Sequence, residues 1–174
     1  MSGRLGVLVE ARYQPGVYRW PSRAHTGALR RELAGVGWAA YLLSGEIDDA
    51  RRLLQECART LAFPSWFGNT WEGFAGCLAD LSWLPATGHV LLWEHYGSLA
   101  RADLKAWSRA YDVLERAVAG RVMDGAAPLY VLLRGTGPDR SPVDGAPIRP
   151  LPAVSASAGS RPRRARRAPL APPP

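Results

Sequence analysis

The sequence predicts a small α/β domain: a three-stranded parallel sheet flanked by helices, followed by a C-terminal tail without fixed structure. Three observations carry this reading. Trp38–Leu43, Val90–Trp93 and Leu129–Leu133 are short apolar runs bounded by turn residues, as in strands buried on both faces. The stretches between them have helical periodicity and are long enough for crossovers, which implies parallel pairing with right-handed connections. Beyond Arg134, repeated Pro and Gly interrupt any periodicity, and 155–174 is dominated by Ala, Ser, Arg and Pro. A chain of 174 residues fits one domain, and 47% hydrophobic residues suffice for its core. The division expected is an N-terminal extension over 1–37 packed on the domain, the domain itself over 38–135, and the tail over 136–174.

Taken in order, Leu5–Val9 is a small apolar patch, either an edge strand or a pinned arm. Residues 11–22 read as a loop with a Pro15-Gly16 turn. Tyr13, Val17, Tyr18 and Trp20 are too apolar for a free linker and are expected to cover the domain surface. Arg23–Gly35 reads as a helix capped by Ser22 and ended by Gly35 and Gly37. After the first strand, Asp48 or Asp49 caps a helix running to Leu61, with Leu53, Leu54, Cys57 and Leu61 inward. Tyr96–Leu104 is a loop or partial helix. A longer helix capped by Asp103 follows over 104–122, with Trp107, Tyr111, Leu114 and Val118 inward.

The formal charge of +7 is unevenly placed. Residues 1–150 hold 17 Lys and Arg against 15 Asp and Glu, so most of the excess lies in the five arginines of 161–167. The pI of about 10.1 therefore does not describe a basic nucleic-acid-binding domain. The tail predicts no more than weak, salt-dependent contact with polyanions. From Thr60 to Ala100 there is no Lys or Arg, but there are Glu72, Asp80 and Glu94. An acidic segment of this kind suits a basic partner and would speed encounter with it. It is equally what a short helix with two solvated carboxylates looks like.

The middle of that segment is the most distinctive stretch, Phe63-Pro64-Ser65-Trp66-Phe67-Gly68-Asn69-Thr70-Trp71-Glu72. Pro64 stops the preceding helix, and Gly68 supplies a turn. Asn69 with Glu72 three residues on resembles a capping box for the next helix. Trp71, Phe74, Leu78 and Leu81 then share one apolar face, while Glu72, Gly76 and Asp80 run down the opposite one.

The motif Pro64-x-Trp66-Phe67-Gly68, followed by Trp71-Glu72-Gly73 and Cys77-Leu78, resembles the barstar family, small inhibitors of barnase-type ribonucleases. The resemblance runs from about Trp38 to Arg134. It implies a barstar-like fold whose short helix and preceding loop enter the active site of a basic ribonuclease, carboxylates standing in for substrate phosphates. Carried over by position, the family's loop aromatic is met by Trp66 and its helix-start Asn by Thr70. Its first Asp is met by Glu72 and its second, central Asp by Gly76. Asp80, one turn further on the same face, is the carboxylate that can compensate. Gly76 departs from the pattern and costs the helix ~1 kcal/mol relative to Ala.

Enzymatic chemistry finds no support in the sequence. His25, His89 and His95 stand in no motif with a nucleophile or ligand, and neither a Gly-x-Ser-x-Gly setting nor a phosphate-binding Gly loop is present. Cys57 and Cys77 lie among apolar residues, so buried thiols are expected, with no metal or other cofactor. No apolar run reaches the ~20 residues of a membrane span. The protein is therefore expected to be a cytoplasmic, monomeric inhibitor of a small basic ribonuclease, of antitoxin or immunity type. Its contact surface would be Trp66, Thr70, Glu72, Gly76 and Asp80. The alternative keeps the fold and assigns a different protein partner, Gly76 marking a changed interface.

Overall fold

A computed structural model describes residues 5–152. The elements are α1 (Gly6–Val9), β1 (Val17–Arg19), α2 (Thr26–Ala34), β2 (Trp38–Leu43), α3 (Ala50–Thr60), α4 (Trp71–Asp80), β3 (Gly88–Glu94), α5 (Gly97–Ala102), α6 (Leu104–Met123) and β4 (Leu129–Arg134). The strands form one all-parallel sheet in the order β1-β4-β3-β2.

The three expected strands form β2, β3 and β4, and their side chains alternate between two cores as a pleated strand requires. Leu91 and Trp93 of β3, with Val131 and Leu133 of β4, face α3, α4 and α6. Val90 and Leu92, with Tyr130 and Leu132, face α1 and α2, where Leu5, Leu8, Leu29 and Leu33 cover them. The central strands are buried on both sides, whereas β2 lies at an edge and is sealed only at Trp38 and Leu43.

The sheet has four strands where the sequence predicts three. The fourth is β1, a three-residue strand inside the stretch read as loop; Val17–Arg19 pairs parallel with Val131–Leu133. Three residues are too few for alternation to be visible. The Leu5–Val9 patch is a helical turn rather than a strand, pinned by Leu5 and Leu8, each 1% exposed. The second helix starts at Thr26 and is capped by the His25 ring, which accepts from Gly27 N; Ser22 caps only its own loop through Ala24 N. Of the loop or partial helix expected over 96–104, the structure has the partial helix, α5.

Residues 136–152, assigned from the sequence to the tail, are built into the domain. Ile148 and Leu151 are buried, one in each core. Arg149 and Leu151 pair with Arg19 along the outer side of β1, through Arg19 N to Arg149 O at 2.9 Å and Leu151 N to Arg19 O at 2.7 Å. The stretch's Pro and Gly content hides this because so short an edge contact needs only two backbone bonds and two apolar anchors. The Ala/Arg/Pro tail from 153 onward, expected to lack fixed structure, lies outside the described residues. Among the described residues, no helix is long and apolar enough to cross a membrane.

Candidate functional site

The distinctive loop begins where α3 ends. Pro64 opens a 3₁₀ turn over Ser65–Phe67, and Gly68 at φ 65° and Asn69 at φ 53° reverse the chain through two left-handed residues. Asn69 therefore does not cap α4. The cap is Thr70, whose Oγ1 accepts from Gly73 N at 3.0 Å. With the cap one residue later, Gly73 takes the position that Glu72 would hold in a capping box. Gly73 is required there on packing grounds too, since a Cβ would run into the Phe67 carbonyl oxygen.

The aromatic pair divides its work. Phe67 is buried against Phe63, with ring centroids 4.9 Å apart. Trp66 points outward and is 56% exposed, far above the ordinary state of a tryptophan. It stands edge-on against Trp83 at 6.3 Å, and Trp83 is itself pinned by its indole N–H donating to Leu61 O at 2.9 Å. Gly76 lies beneath the Trp66 ring: a Cβ built at 76 would meet the ring at 3.7 Å, an ordinary contact.

The remaining positions follow along α4. Glu72, Gly76 and Asp80 are all exposed, while Phe74, Cys77 and Leu78 are buried, so the two faces of the helix are as the spacing predicts. Cys57 and Cys77 are free thiols, and burial pushes both up in pKa. The structure thus brings Trp66 and Gly76 into one patch. Glu72 and Asp80 lie on the same helix face, and Thr70 sits at its start with its hydroxyl engaged in the cap.

Two arginines from α6 shape the site, and neither is visible near the motif in sequence. Arg109 reaches Glu72 at 3.3 Å and lies over the Trp71 ring, 5.5 Å from its centroid. The segment without Lys or Arg is therefore not without cations in space. Arg121 is 3% exposed and closes the other end of α4, where its Nη1 donates to the carbonyls of Leu78, Ala79 and Asp80 at 3.3, 2.9 and 3.1 Å. Its Nε donates to Ala127 O at 2.9 Å. Burial lowers its pKa, and the Asp80 carboxylate works against that shift. A cation at the C-terminal end of a helix also meets the favourable end of the helix dipole. Only a tertiary contact links Arg121 to Asp80, 41 residues away, so no local pattern signals it.

Nothing at the site suggests bond chemistry. Among the described residues no group of three or more His, Cys, Asp or Glu is placed to hold a metal. The buried His89 sits beside Tyr41, its Nδ1 3.0 Å from the hydroxyl, at the start of β3. What the patch offers is a surface: an exposed indole over a glycine, and spaced carboxylates.

An exposed aromatic loop leading into a short acid-bearing helix, on a doubly covered parallel sheet, defines a small α/β interaction domain. A family model described as Barstar (barnase inhibitor) matches residues 39–133, more than half of the chain, and the chain belongs to that family. No curated protein matches the sequence. The matched region spans β2 to β4 and holds the whole of the loop and α4. The first strand, the helix beyond it and the 136–152 cover lie outside it.

Proposed function

We propose that this protein binds and inhibits a small basic ribonuclease, occluding its active site with α4 and the loop before it. It acts as an antitoxin or immunity protein in the cytoplasm, as a monomer and without enzymatic activity of its own. The contact surface is Trp66, Thr70, Glu72, Gly76 and Asp80. One observation carries this reading: in a barstar-family chain, Trp66 is held 56% exposed against Gly76 at the head of a helix whose outer face is acidic. An exposed Trp backed by a rigid neighbour is the kind of residue that dominates interface energy. Glu72 and Asp80 supply the charge that meets a cationic cleft and sets the encounter rate.

The test is an inhibition titration against a barnase-type ribonuclease at two salt concentrations. Stoichiometric inhibition that weakens with salt is expected. Trp66→Ala should cost about 2 kcal/mol or more, roughly 30-fold in Kd. Unchanged affinity in Glu72→Lys would remove this surface from the interface.

A second reading, a different protein partner on the same fold, is favoured by two features together. Position 76 has no carboxylate, and Glu72 is already paired with Arg109 within the chain. Gly76→Asp separates the readings, because the Cβ fits beneath Trp66 without displacement. Tighter inhibition of the ribonuclease supports the first reading. A ribonuclease unaffected by wild type and variant alike supports the second.

A further inference from the structure

A second hollow lies away from the loop and α4, at the carboxyl ends of the central strands. It measures about 480 Å³, within the range of small-molecule sites. Its walls come from the ends of β3 and β4, at Glu94, His95 and Arg134, and from the segment that leaves β1 toward α2, at Ser22 and Arg23. The chain leaves β1 toward the face covered by α2, and leaves β3 toward the opposite face, covered by α6. In open parallel sheets the crevice between oppositely departing connections, outside the strand carboxyl ends, is where ligands bind.

The charges in the crevice are unequal. Arg134 is held in place by Glu94 and donates to the carbonyls of Ser22 and Ala24 at 3.3 and 2.8 Å. Its guanidinium also lies over the Trp20 ring at 5.9 Å. The only lining carboxylate is therefore neutralised. Arg23 is exposed and makes no ion pair among the described residues, and His95 is a further lining residue. A smaller hollow of about 290 Å³ adjoins at Gly135 and adds Arg19. The buried Trp20 that lines this second hollow has an indole N–H with no acceptor among the described residues.

The backbone that opens the crevice is strained at His95. His95 adopts φ 55°, a left-handed conformation uncommon outside glycine, and Gly135 across from it adopts φ 108°. The His95 amide donates to Arg134 O at 2.8 Å, fixing the two strand ends against one another. Strain of this kind is kept where surrounding structure over-determines it, typically at ligand sites.

We propose that this crevice binds a small phosphomonoester of about nucleotide size. Arginine forks recognise phosphate oxygens, and a free guanidinium beside a fixed one leaves net positive charge for a dianion. The volume leaves room for an organic body beside the phosphate. No residue of the 63–70 loop or of α4 lines the crevice, so the site is separate from the surface described above.

The test uses the full chain, followed by amide NMR and calorimetry, with adenosine 5′-monophosphate as probe and adenosine, inorganic phosphate and succinate as controls. Shifts are expected at His95 and Gly135. The monophosphate should bind more tightly than each control. Arg23→Ala should weaken it about tenfold or more, the worth of one charge-assisted hydrogen bond. His95→Gly suits the left-handed backbone and keeps the fold, so a loss of affinity there reports the lost ring. Several outcomes would overturn the proposal: absent binding, equal binding of adenosine, phosphate or succinate, indifference to Arg23→Ala, or shifts confined to 161–167.

Discussion

The two ends of α4 are held by opposite means. At the start, Thr70 caps one amide and Glu72 meets Arg109, and all three side chains are largely exposed. At the finish, a single buried guanidinium collects three carbonyls. Exposed ion pairs contribute little, whereas buried charge-assisted hydrogen bonds are costly to break. Among side-chain contacts, the helix is therefore held more firmly at its carboxyl end than at its start, where Trp66 and Glu72 are exposed.

The comparison can be broken most severely at Gly73. Gly73→Ala drives a Cβ into the Phe67 carbonyl and must displace the loop from the helix; a loss of about 3 kcal/mol or more is expected by urea unfolding. Next is the anchor. Arg121→Ala leaves three helix-end carbonyls without their donor inside the protein and should cost about 3 kcal/mol, while the conservative Arg121→Lys recovers only part of this because one ammonium cannot span both Ala79 and Ala127.

The anchored end is also the pH-sensitive one. His89 is buried beside Tyr41, and burial, then the Arg121 charge, lowers its pKa to about 4 from 6.5. The folded state thus binds fewer protons than the unfolded state between those values. Stability from this group is complete above pH ~6.5 and is lost as pH falls toward 4, by about 2–3 kcal/mol. Unfolding midpoints measured from pH 7 to 4 should show that slope, and His89→Gln should flatten it. The smallest effect belongs to the light end: Thr70→Ala should cost about 1 kcal/mol of stability through the lost cap.

What was legible in the sequence follows the range of the forces involved. β3 and β4 are apolar on both faces, and Trp93 and Leu91 announce burial without help from neighbours. The outward face of α4 follows from spacing, whereas the exposure of Trp66 does not, because an aromatic pair before a helix can as well close the core. The cap was misplaced by one residue because Asn69 and Thr70 are both capping types. Asn69 is instead needed for the second left-handed step after Gly68, a backbone demand that composition does not display. Arg109 and Arg121 lie on a helix dozens of residues from the groups they touch, so the electrostatics of the site exist only once α6 is packed against α4. β1 and its cover at 149–151 were hidden for the same reason: both are held by partners distant in sequence, β1 by β4 and the cover by Arg19.

That cover has a consequence for assembly. A sheet with two bare margins can recruit copies of itself without limit, each arrival presenting a fresh margin to the next. Here the 149–151 segment already occupies the hydrogen-bonding side of Arg19 on β1, and among the described residues β2 ends the sheet without a partner strand. Strand addition between copies is thereby hindered at the β1 margin, at Arg19, and not at β2. The last stretch of the described chain thus shields the sheet at one of its two margins, at Arg19.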